Sequence, residues 1–307
     1  MKRVAALDCG TNSIRLLIAE ENPEASTFTE ISRKMSIVKL GEGVDRNRAF
    51  LPDAISRTLA ALKIFAADIA EAKVEQVRFC ATSATRDAQN RDEFLIPVAQ
   101  ILGISPEVIS GEEEARLSFK GATQALDKAS GPFLVVDIGG GSTEFVLGSD
   151  HVDAARSVNI GCVRMSERHF KNDPPTKSQI ESAREDIKIA IALAAEVVPI
   201  KSAKTLVAVA GTATTVAAAA LNLAKYDSEL IHLAKISAIE TRRVSNWLLS
   251  LTQQERSNLG YMHPGRVDVI AAGSLVLAEI IEATGLKSFT ASENDILDGM
   301  VWSMLNA

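Results

Sequence analysis

The sequence predicts an α/β protein that is built of two related domains with a cleft between them. The segment VVDIGGGSTEFVLG (135–148) places three consecutive glycines between two apolar runs. The segment AALDCGTNSIRLLIA (5–19) aligns with it without a gap, in the pairs Asp8 with Asp137, Gly10 with Gly139 and Ser13 with Ser142. Around these repeats, short apolar runs alternate with amphipathic stretches, which is typical of α/β folds.

Composition places the chain among ordinary globular proteins. Its 307 residues suffice for two domains, and its 47% hydrophobic and 23% charged residues are typical of soluble proteins. The net charge of −6 gives no reason to expect a nucleic-acid polymer as a partner. The three cysteines, Cys9, Cys80 and Cys162, lie far apart, which favours a reduced compartment and argues against disulfides and structural zinc.

The sequence further predicts a cytoplasmic protein with no membrane partner. Asp8 interrupts the first apolar run before the core of a secretory signal can form. Residues 205–224 carry no charge, but they are rich in Ala and Thr and are divided by Gly211. A short strand at 206–209, a Gly-Thr turn and a small-residue helix explain this segment better than a membrane span does.

Strands and helices are predicted to alternate along the N-terminal half. Residues 4–8 and 14–19 form a hairpin, and 36–45 form a strand that runs into a glycine-containing loop. Apolar residues three and four positions apart predict an amphipathic helix over 51–73, with Pro52 in its first turn. The other predicted elements are a strand at 74–82, a helix at 85–103, a short strand at 106–110 and a helix at 111–126.

The C-terminal half repeats this theme. The Gly/Ser/Pro link at 128–133 indicates a boundary. The predicted domains are therefore 1–127, joined by the C-terminal helix 293–307, and 128–292. The second domain is predicted to contain a hairpin at 133–148, a strand near 155–160 and a helix from Lys177 to Val197.

The glycine turns have the composition of phosphate-binding sites. Glycine lets the backbone approach a ligand without a Cβ in the way, and successive N–H groups in a turn form a concave anion site. The DIGGGSTE turn adds the Ser142 and Thr143 hydroxyls to these donors. Its carboxylates, Asp137 and Glu144, would repel phosphate directly, so we expect them to bind a bridging Mg²⁺. The DCGTNS turn has a similar composition, and AVAGTATTV (208–216) is a third Gly-Thr turn.

Two domains that open with D-x-G-T/G-x-S hairpins resemble the actin-like ATPase superfamily. Within it, the chain resembles the short form of the exopolyphosphatase and guanosine pentaphosphate phosphatase family. The resemblance covers nearly the whole chain, through the strings LDCGTNSIRLLIA, ATSATRDAQNRDEF, VISGEEEARLSFKGA, VVDIGGGSTEFVLG, NIGCVRMSERHF and AVAGTATT. It implies two actin-like (ribonuclease H-like) domains and a phosphoanhydride hydrolase that uses Mg²⁺ or Mn²⁺.

The resemblance also implies the roles of individual residues. Glu114 would be the catalytic base, and only the resemblance selects it, because Glu112 and Glu113 suit a helix start equally well. A carboxylate on a rigid helix start can orient the attacking water. Asp137 and Glu144 match the metal-associated carboxylates of the family. The phosphate-binding residues would be Asp8, Gly10, Thr11, Asn12, Ser13, Arg15, Arg86, Asn90, Gly139, Gly140, Gly141, Ser142, Thr143, Gly211 and Thr212.

Three further arginines and one departure from the family pattern complete the candidate set. Arg164, Arg168 and Arg266 are weaker candidates for a basic track, because an isolated surface arginine is usually only solvated. The closing segment of the family often carries Arg before Gly, whereas here Asp298 precedes Gly299. We therefore assign no catalytic role to that segment.

The leading hypothesis for function is the hydrolysis of terminal phosphates from linear, short-chain polyphosphate. Hydrolysis of guanosine pentaphosphate is the alternative within the same chemistry, because both reactions cleave a phosphoanhydride bond. The further alternatives are an acyl or sugar kinase and a non-hydrolytic actin-like ATP-binding module. The oligomeric state is left open, with a homodimer among the alternatives.

Overall fold

A computed structural model describes residues 1–25 and 27–306 of the protein. The chain divides into two compact units: Met1–Gly121 together with the segment that begins at Ile296, and Ala122–Asp295. The sequence placed these divisions after residue 127 and before residue 293.

The first unit is built around one mixed sheet with the strand order β3-β2-β1-β4-β5. Its strands are β1 (Arg3–Cys9), β2 (Ser13–Asn22), β3 (Thr27–Ile37), β4 (Gln76–Ala81) and β5 (Glu107–Val108). The helices that accompany them are α1 (Val44–Asn47), α2 (Pro52–Glu71), α3 (Ser83–Asp87), α4 (Asp92–Leu102) and α5 (Gly111–Thr123). Strands β1, β2 and β3 form an antiparallel meander, whereas β1, β4 and β5 are parallel. The carboxyl ends of β1, β4 and β5 therefore share one edge of the sheet.

The second unit is built around a mixed sheet with the strand order β10-β11-β9-β6-β7-β8. Its strands are β6 (Phe133–Ile138), β7 (Thr143–Gly148), β8 (Val152–Val158), β9 (Thr205–Val209), β10 (Lys235–Ser237) and β11 (Ser288–Ala291). Its helices are α6 (Cys162–His169), α7 (Lys177–Ala195), α8 (Ala210–Ala220), α9 (Ser228–Ile231), α10 (Ala238–Ser250), α11 (Gln253–Ser257) and α12 (Ile270–Thr284). The chain ends in α13 (Ile296–Leu305), which packs on β1 and β2 of the first unit.

The two sheets repeat one topology. Strands β6, β7 and β8 form an antiparallel meander, and β6, β9 and β11 are parallel, as β1, β4 and β5 are in the first unit. Even the hairpin registers agree, because Asp8 lies opposite Arg15 and Asp137 lies opposite Glu144. The repeat that the sequence predicted is confirmed at the level of backbone pairing.

Most predicted elements lie where the sequence placed them. Both hairpins form, Pro52 is the first residue of α2, and residues 205–220 are a strand followed by a helix. Thr176 caps α7 by accepting a hydrogen bond from the Gln179 backbone N–H, and the Gln179 side-chain oxygen accepts one from the Thr176 N–H. Within the described part of the chain, every helix is too short or too polar to cross a membrane.

Several predicted elements are wrong in extent. The strand that was predicted to begin at residue 36 and run into a glycine-containing loop begins at Thr27 instead, and it ends at Ile37. The predicted helix at 85–103 is interrupted between Asp87 and Asp92, so that it forms α3 and α4. The predicted helix at 293–307 begins only at Ile296, and position 307 lies outside the described residues.

Helix α12 was not predicted, and its sequence explains why. Most of its residues are buried, since α6, α7, α8 and α10 all contact it. A helix that is covered on every side is apolar around its whole circumference and therefore shows no amphipathic period.

Helix α13 approaches α5 closely through Gly299. A Cβ at this position would lie 2.0 Å from the carbonyl oxygen of Leu117. The neighbouring Asp298 is buried and forms an ion pair of 2.7 Å with Arg33 on β3. The acidic residue that departs from the family pattern thus has a partner within the first unit.

Replacement of Gly299 by alanine is expected to lower the free energy of unfolding by about 1–3 kcal/mol, because the backbone of α5 cannot yield to a Cβ. Urea unfolding would measure this change. Ser303→Ala on the same helix is the matched control and should cost no more than about 1 kcal/mol. Equal stability of Gly299→Ala and the wild type would contradict the close approach of the two helices.

Candidate active site

The turn between β1 and β2 is held by hydrogen bonds from the loop after β3 to its carbonyl groups. The Gly10 N–H donates to the Ser13 carbonyl at 2.9 Å and closes the turn. The Thr11 carbonyl accepts from the Gly41 N–H at 2.8 Å. The Asn12 carbonyl accepts from the backbone N–H groups of Val38 and Lys39, at 3.0 and 2.9 Å. The loop after β3 therefore fixes the direction of these peptide groups.

The turn between β6 and β7 is fixed in the same way by the start of α6. The Gly139 N–H donates to the Ser142 carbonyl at 3.1 Å. The Gly139 carbonyl accepts from the Cys162 N–H, and the Gly140 carbonyl accepts from the Val163 N–H, each at 2.9 Å. These donors are among the N–H groups that the first turn of a helix leaves without intrahelical partners.

The direction of the carbonyls determines the direction of the N–H groups. In a trans peptide the C=O and the next N–H point in opposite directions. The N–H groups of Gly140, Gly141 and Ser142 consequently point away from α6, and they make no hydrogen bond within the described residues. Outward N–H groups on consecutive residues are able to bind an anion, and phosphate binding at this turn stays a prediction.

A glycine outside each turn packs directly against the turn and leaves no room for a side chain at that position. A Cβ on Gly161 would lie 2.2 Å from the carbonyl carbon of Gly140, and one on Gly41 would lie 2.3 Å from Cγ2 of Thr11. The Thr11 hydroxyl is buried and makes no hydrogen bond within the described residues, whereas Ser13 is half-buried. Neither supporting glycine was selected from the sequence, because each lies outside the turn that it supports.

The two hairpins differ in the charges at their base. In the first unit, Arg15 lies opposite Asp8 and forms an ion pair of 2.7 Å with it. In the second unit, Glu144 occupies the position of Arg15, so that two carboxylates face each other. Side chains directly opposite each other in an antiparallel pair have Cβ atoms about 5 Å apart, and like charges there are destabilising.

Asp137 and Glu144 fit a hard divalent cation. Both are buried, and a bound cation would offset their mutual repulsion. Glu144 Oε1 accepts hydrogen bonds from the Ser142 and Ser157 hydroxyls, each at 2.7 Å, which orients its carboxylate. No cluster of three or more His, Cys, Asp or Glu side chains suited to a metal occurs among the described residues. Mg²⁺ in such a site would keep several waters and bind phosphate oxygens, as it usually does in proteins.

Glu114 and Arg86 meet at the carboxyl edge of the first sheet. Helix α3 follows β4 and carries Arg86, and α5 follows β5 and carries Glu114. Arg86 Nη1 donates to Glu114 Oε2 at 2.7 Å and to the Ile109 carbonyl at 3.0 Å. The other guanidinium nitrogens of Arg86 make no hydrogen bond within the described residues. They are therefore able to bind phosphate oxygens.

The structure separates the three glutamates that the sequence could not. Glu112 is exposed, and Glu113 is held by Arg78 at 2.6 Å. Glu114 is buried, with 9% of its surface exposed, and its partner Arg86 belongs to the candidate site. A carboxylate shielded from bulk water suits a general base better than a solvated one. The geometry therefore favours Glu114 independently of the family resemblance.

The predicted third Gly-Thr turn is instead the first turn of helix α8, which begins at Ala210 directly after β9. Ala210 has a φ of 64°, a left-handed conformation that is costly for a residue with a Cβ. A Cβ on Gly211 would lie 2.3 Å from the guanidinium carbon of Arg266. Arg266 Nη1 also donates to the Thr215 hydroxyl at 3.0 Å. Thr212 is buried in the first turn of this helix. The positively charged guanidinium group of Arg266 thus lies beside the amino end of α8.

Three other candidates have partners that suggest structural roles. The Asn90 side chain accepts from the Phe50 N–H at 2.8 Å and donates to the Phe50 carbonyl at 3.2 Å. The Thr143 hydroxyl donates to the Ile160 carbonyl at 2.6 Å. Arg168 is ion-paired with Asp186 at 2.7 Å. The first two contacts connect separate segments of the backbone, and the third connects α6 to α7.

The cysteines do not supply a nucleophile. Burial raises the pKa of Cys162 to about 11, and a hydrogen bond with Thr212 offsets this only in part. Burial and the adjacent charge of Asp8 raise the pKa of Cys9 well above its usual value. Both thiols are therefore protonated near neutral pH and unreactive.

Comparisons with known proteins identify one family. The sequence profile described as the Ppx/GppA phosphatase family matches residues 17–307. Exopolyphosphatase 2 of Mycobacterium tuberculosis is 44% identical over 99% of both chains. The guanosine-5'-triphosphate,3'-diphosphate pyrophosphatase of Vibrio atlanticus is 32% identical, over 98% of this chain and 59% of its own. The crystal structure of an exopolyphosphatase-like protein superposes with a TM-score of 0.94 at 42% identity, covering 98% of each chain.

These matches extend over nearly the entire sequence. They confirm the predicted α/β class and the family resemblance from which the residue roles were inferred. The chain belongs to the Ppx/GppA phosphatase family.

Proposed function

We propose that the protein is an exopolyphosphatase that hydrolyses the terminal phosphoanhydride bond of linear, short-chain polyphosphate. The observation that supports this most directly is the turn at Gly139–Ser142, whose outward N–H groups match the oxygens of a phosphate. The 44% identity with Exopolyphosphatase 2 over the full chain supports the same reaction.

In this proposal Glu114 is the general base. Its carboxylate accepts a proton from the attacking water while the leaving phosphate departs in line. Arg86 orients the Glu114 carboxylate through Nη1, and its remaining N–H groups neutralise charge on the terminal phosphate. The backbone N–H groups of the turns bind the phosphate oxygens and cost no reorganisation, because their carbonyls are already fixed.

Asp137 and Glu144 would hold Mg²⁺, or Mn²⁺ in its place. When bound, such a cation supplies charge neutralisation at the phosphate oxygens. The Ser142 and Ser157 hydroxyls keep the Glu144 carboxylate in position. The two hairpins differ in a way that supports one cation per chain. In the first unit Asp8, which corresponds to Asp137, is already paired with Arg15.

Hydrolysis of guanosine pentaphosphate is the second candidate function. It is favoured by the 32% identity with the Vibrio atlanticus enzyme over 98% of this chain. Action of both units on one substrate, a cytoplasmic location and a homodimer stay predictions.

We expect the wild-type enzyme with Mg²⁺ to release phosphate faster from tripolyphosphate than from long polyphosphate. The net charge of −6 and the scattered cationic side chains offer no continuous track for a long polyanion. Phosphate release should be measured on one enzyme sample with tripolyphosphate, long polyphosphate and guanosine pentaphosphate. Higher kcat/KM for guanosine pentaphosphate would favour the second function, and no release from any of the three would refute both.

Replacement of Glu114 by glutamine is expected to lower kcat for tripolyphosphate by roughly 10²–10⁴-fold, because the amide keeps the shape but cannot act as a base. Glu112→Gln in the same helical turn is the matched control, since Glu112 is exposed, and its kcat should stay near that of the wild type. Steady-state phosphate release measures both. An unchanged kcat in Glu114→Gln would remove Glu114 from the mechanism.

A further inference from the structure

Arg164 donates hydrogen bonds to the carbonyl groups of the turn between β6 and β7, on the side that faces α6. It lies in the first turn of α6 and is only 6% exposed. Its backbone N–H donates to the Gly140 carbonyl at 3.1 Å. Its side-chain Nε donates to the Gly141 carbonyl at 2.7 Å. One residue thus contacts two successive peptide groups of the turn.

The carbonyls of Gly139 and Gly140 are held by backbone donors, whereas that of Gly141 is held by the Arg164 side chain. This carbonyl belongs to the same peptide group as the Ser142 N–H. Holding the oxygen toward α6 turns the N–H in the opposite direction. The orientation of this donor therefore depends on a replaceable side chain.

We propose that Arg164 is a positioning residue for phosphate binding, acting through its Nε–H on the Gly141–Ser142 peptide. The inference rests on the proposed function, because the anion is taken to be the phosphate of the substrate. Arg164 acts through the backbone and does not need to touch the substrate.

The energetics of the contact support this role. Burial of a guanidinium group is costly unless its donors are used. A hydrogen bond from a charged donor is about twice as strong as a neutral one. It also polarises the peptide that accepts it, which makes the N–H at the other side of that peptide a better donor. The start of α6 adds the positive end of its dipole behind the same turn.

Three substitutions separate the Nε donor from the charge. Arg164→Gln keeps an N–H donor at the ε position and removes the charge. Arg164→Lys keeps the charge but places a methylene at the ε position. Arg164→Met removes both and keeps the length of the side chain to that position. Arg168→Met is the matched control, because Arg168 lies on the same helix and is paired with Asp186.

For tripolyphosphate hydrolysis, we expect Arg164→Met and Arg164→Lys to lower kcat/KM roughly 10- to 100-fold, mainly through a higher KM. Arg164→Gln should recover most of this loss, and Arg168→Met should resemble the wild type. Any ranking in which Arg164→Gln does not exceed both Arg164→Lys and Arg164→Met would overturn the proposal. Thermal unfolding verifies that each variant is folded, and the Gln and Lys variants decide the outcome if the Met variant is not.

A second measurement is independent of turnover. In ¹H–¹⁵N spectra of the wild type, added pyrophosphate should shift the Ser142 amide signal, and the shift should be lost in Arg164→Lys but kept in Arg164→Gln. A Ser142 signal that does not respond in the wild type would overturn the inference. If the wild type releases no phosphate from tripolyphosphate or guanosine pentaphosphate, the proposed function fails, whereas the Ser142 signal still decides the role of Arg164.

Discussion

The candidate site depends on hydrogen bonds that fix the backbone of the two hairpin turns. In each turn, carbonyl groups accept hydrogen bonds from a neighbouring segment of the same unit. A glycine-rich turn alone is flexible, because glycine loses more conformational freedom on folding than any other residue. In this protein the loop after β3 and the start of α6 supply the donors that fix each turn. The cost of ordering the turn is met during folding, so that its N–H groups are already directed outward before a ligand arrives.

The repeated hairpin also shows how one backbone arrangement acquires two roles. Asp8 and Asp137 occupy the same position, yet Asp8 faces Arg15 whereas Asp137 faces Glu144. The first pair joins a carboxyl group to a guanidinium group, whereas the second brings two carboxyl groups together, a composition that suits a hard cation. In the proposed mechanism, this difference opposite the aspartate is what assigns the cation to the second hairpin.

The sequence was sufficient for those features that depend on local pattern. The repeated motif predicted both β-hairpins and their turns, and Pro52 marked the start of α2 correctly. Features that depend on contacts between residues far apart in the sequence could not be predicted from it. Helix α12 lacks a period because it is covered on all sides, and Gly161 and Arg164 act on a turn some twenty residues away in sequence. Apart from the family resemblance, only its burial and its pairing with Arg86 distinguish Glu114 from its neighbours. The string NIGCVR, which lies between the second hairpin and α7, was the available signal for the supporting segment.

A crystal structure of the Glu114→Gln variant with tripolyphosphate and Mg²⁺ would show whether the turn between β6 and β7 binds phosphate through its backbone N–H groups. We expect phosphate oxygens about 3 Å from the backbone nitrogens of Gly140, Gly141 and Ser142, with the carbonyls of this turn still hydrogen-bonded to α6. We also expect the cation at Asp137 and Glu144. A phosphate chain bound elsewhere, or a turn that presents its carbonyls to the ligand, would contradict the account.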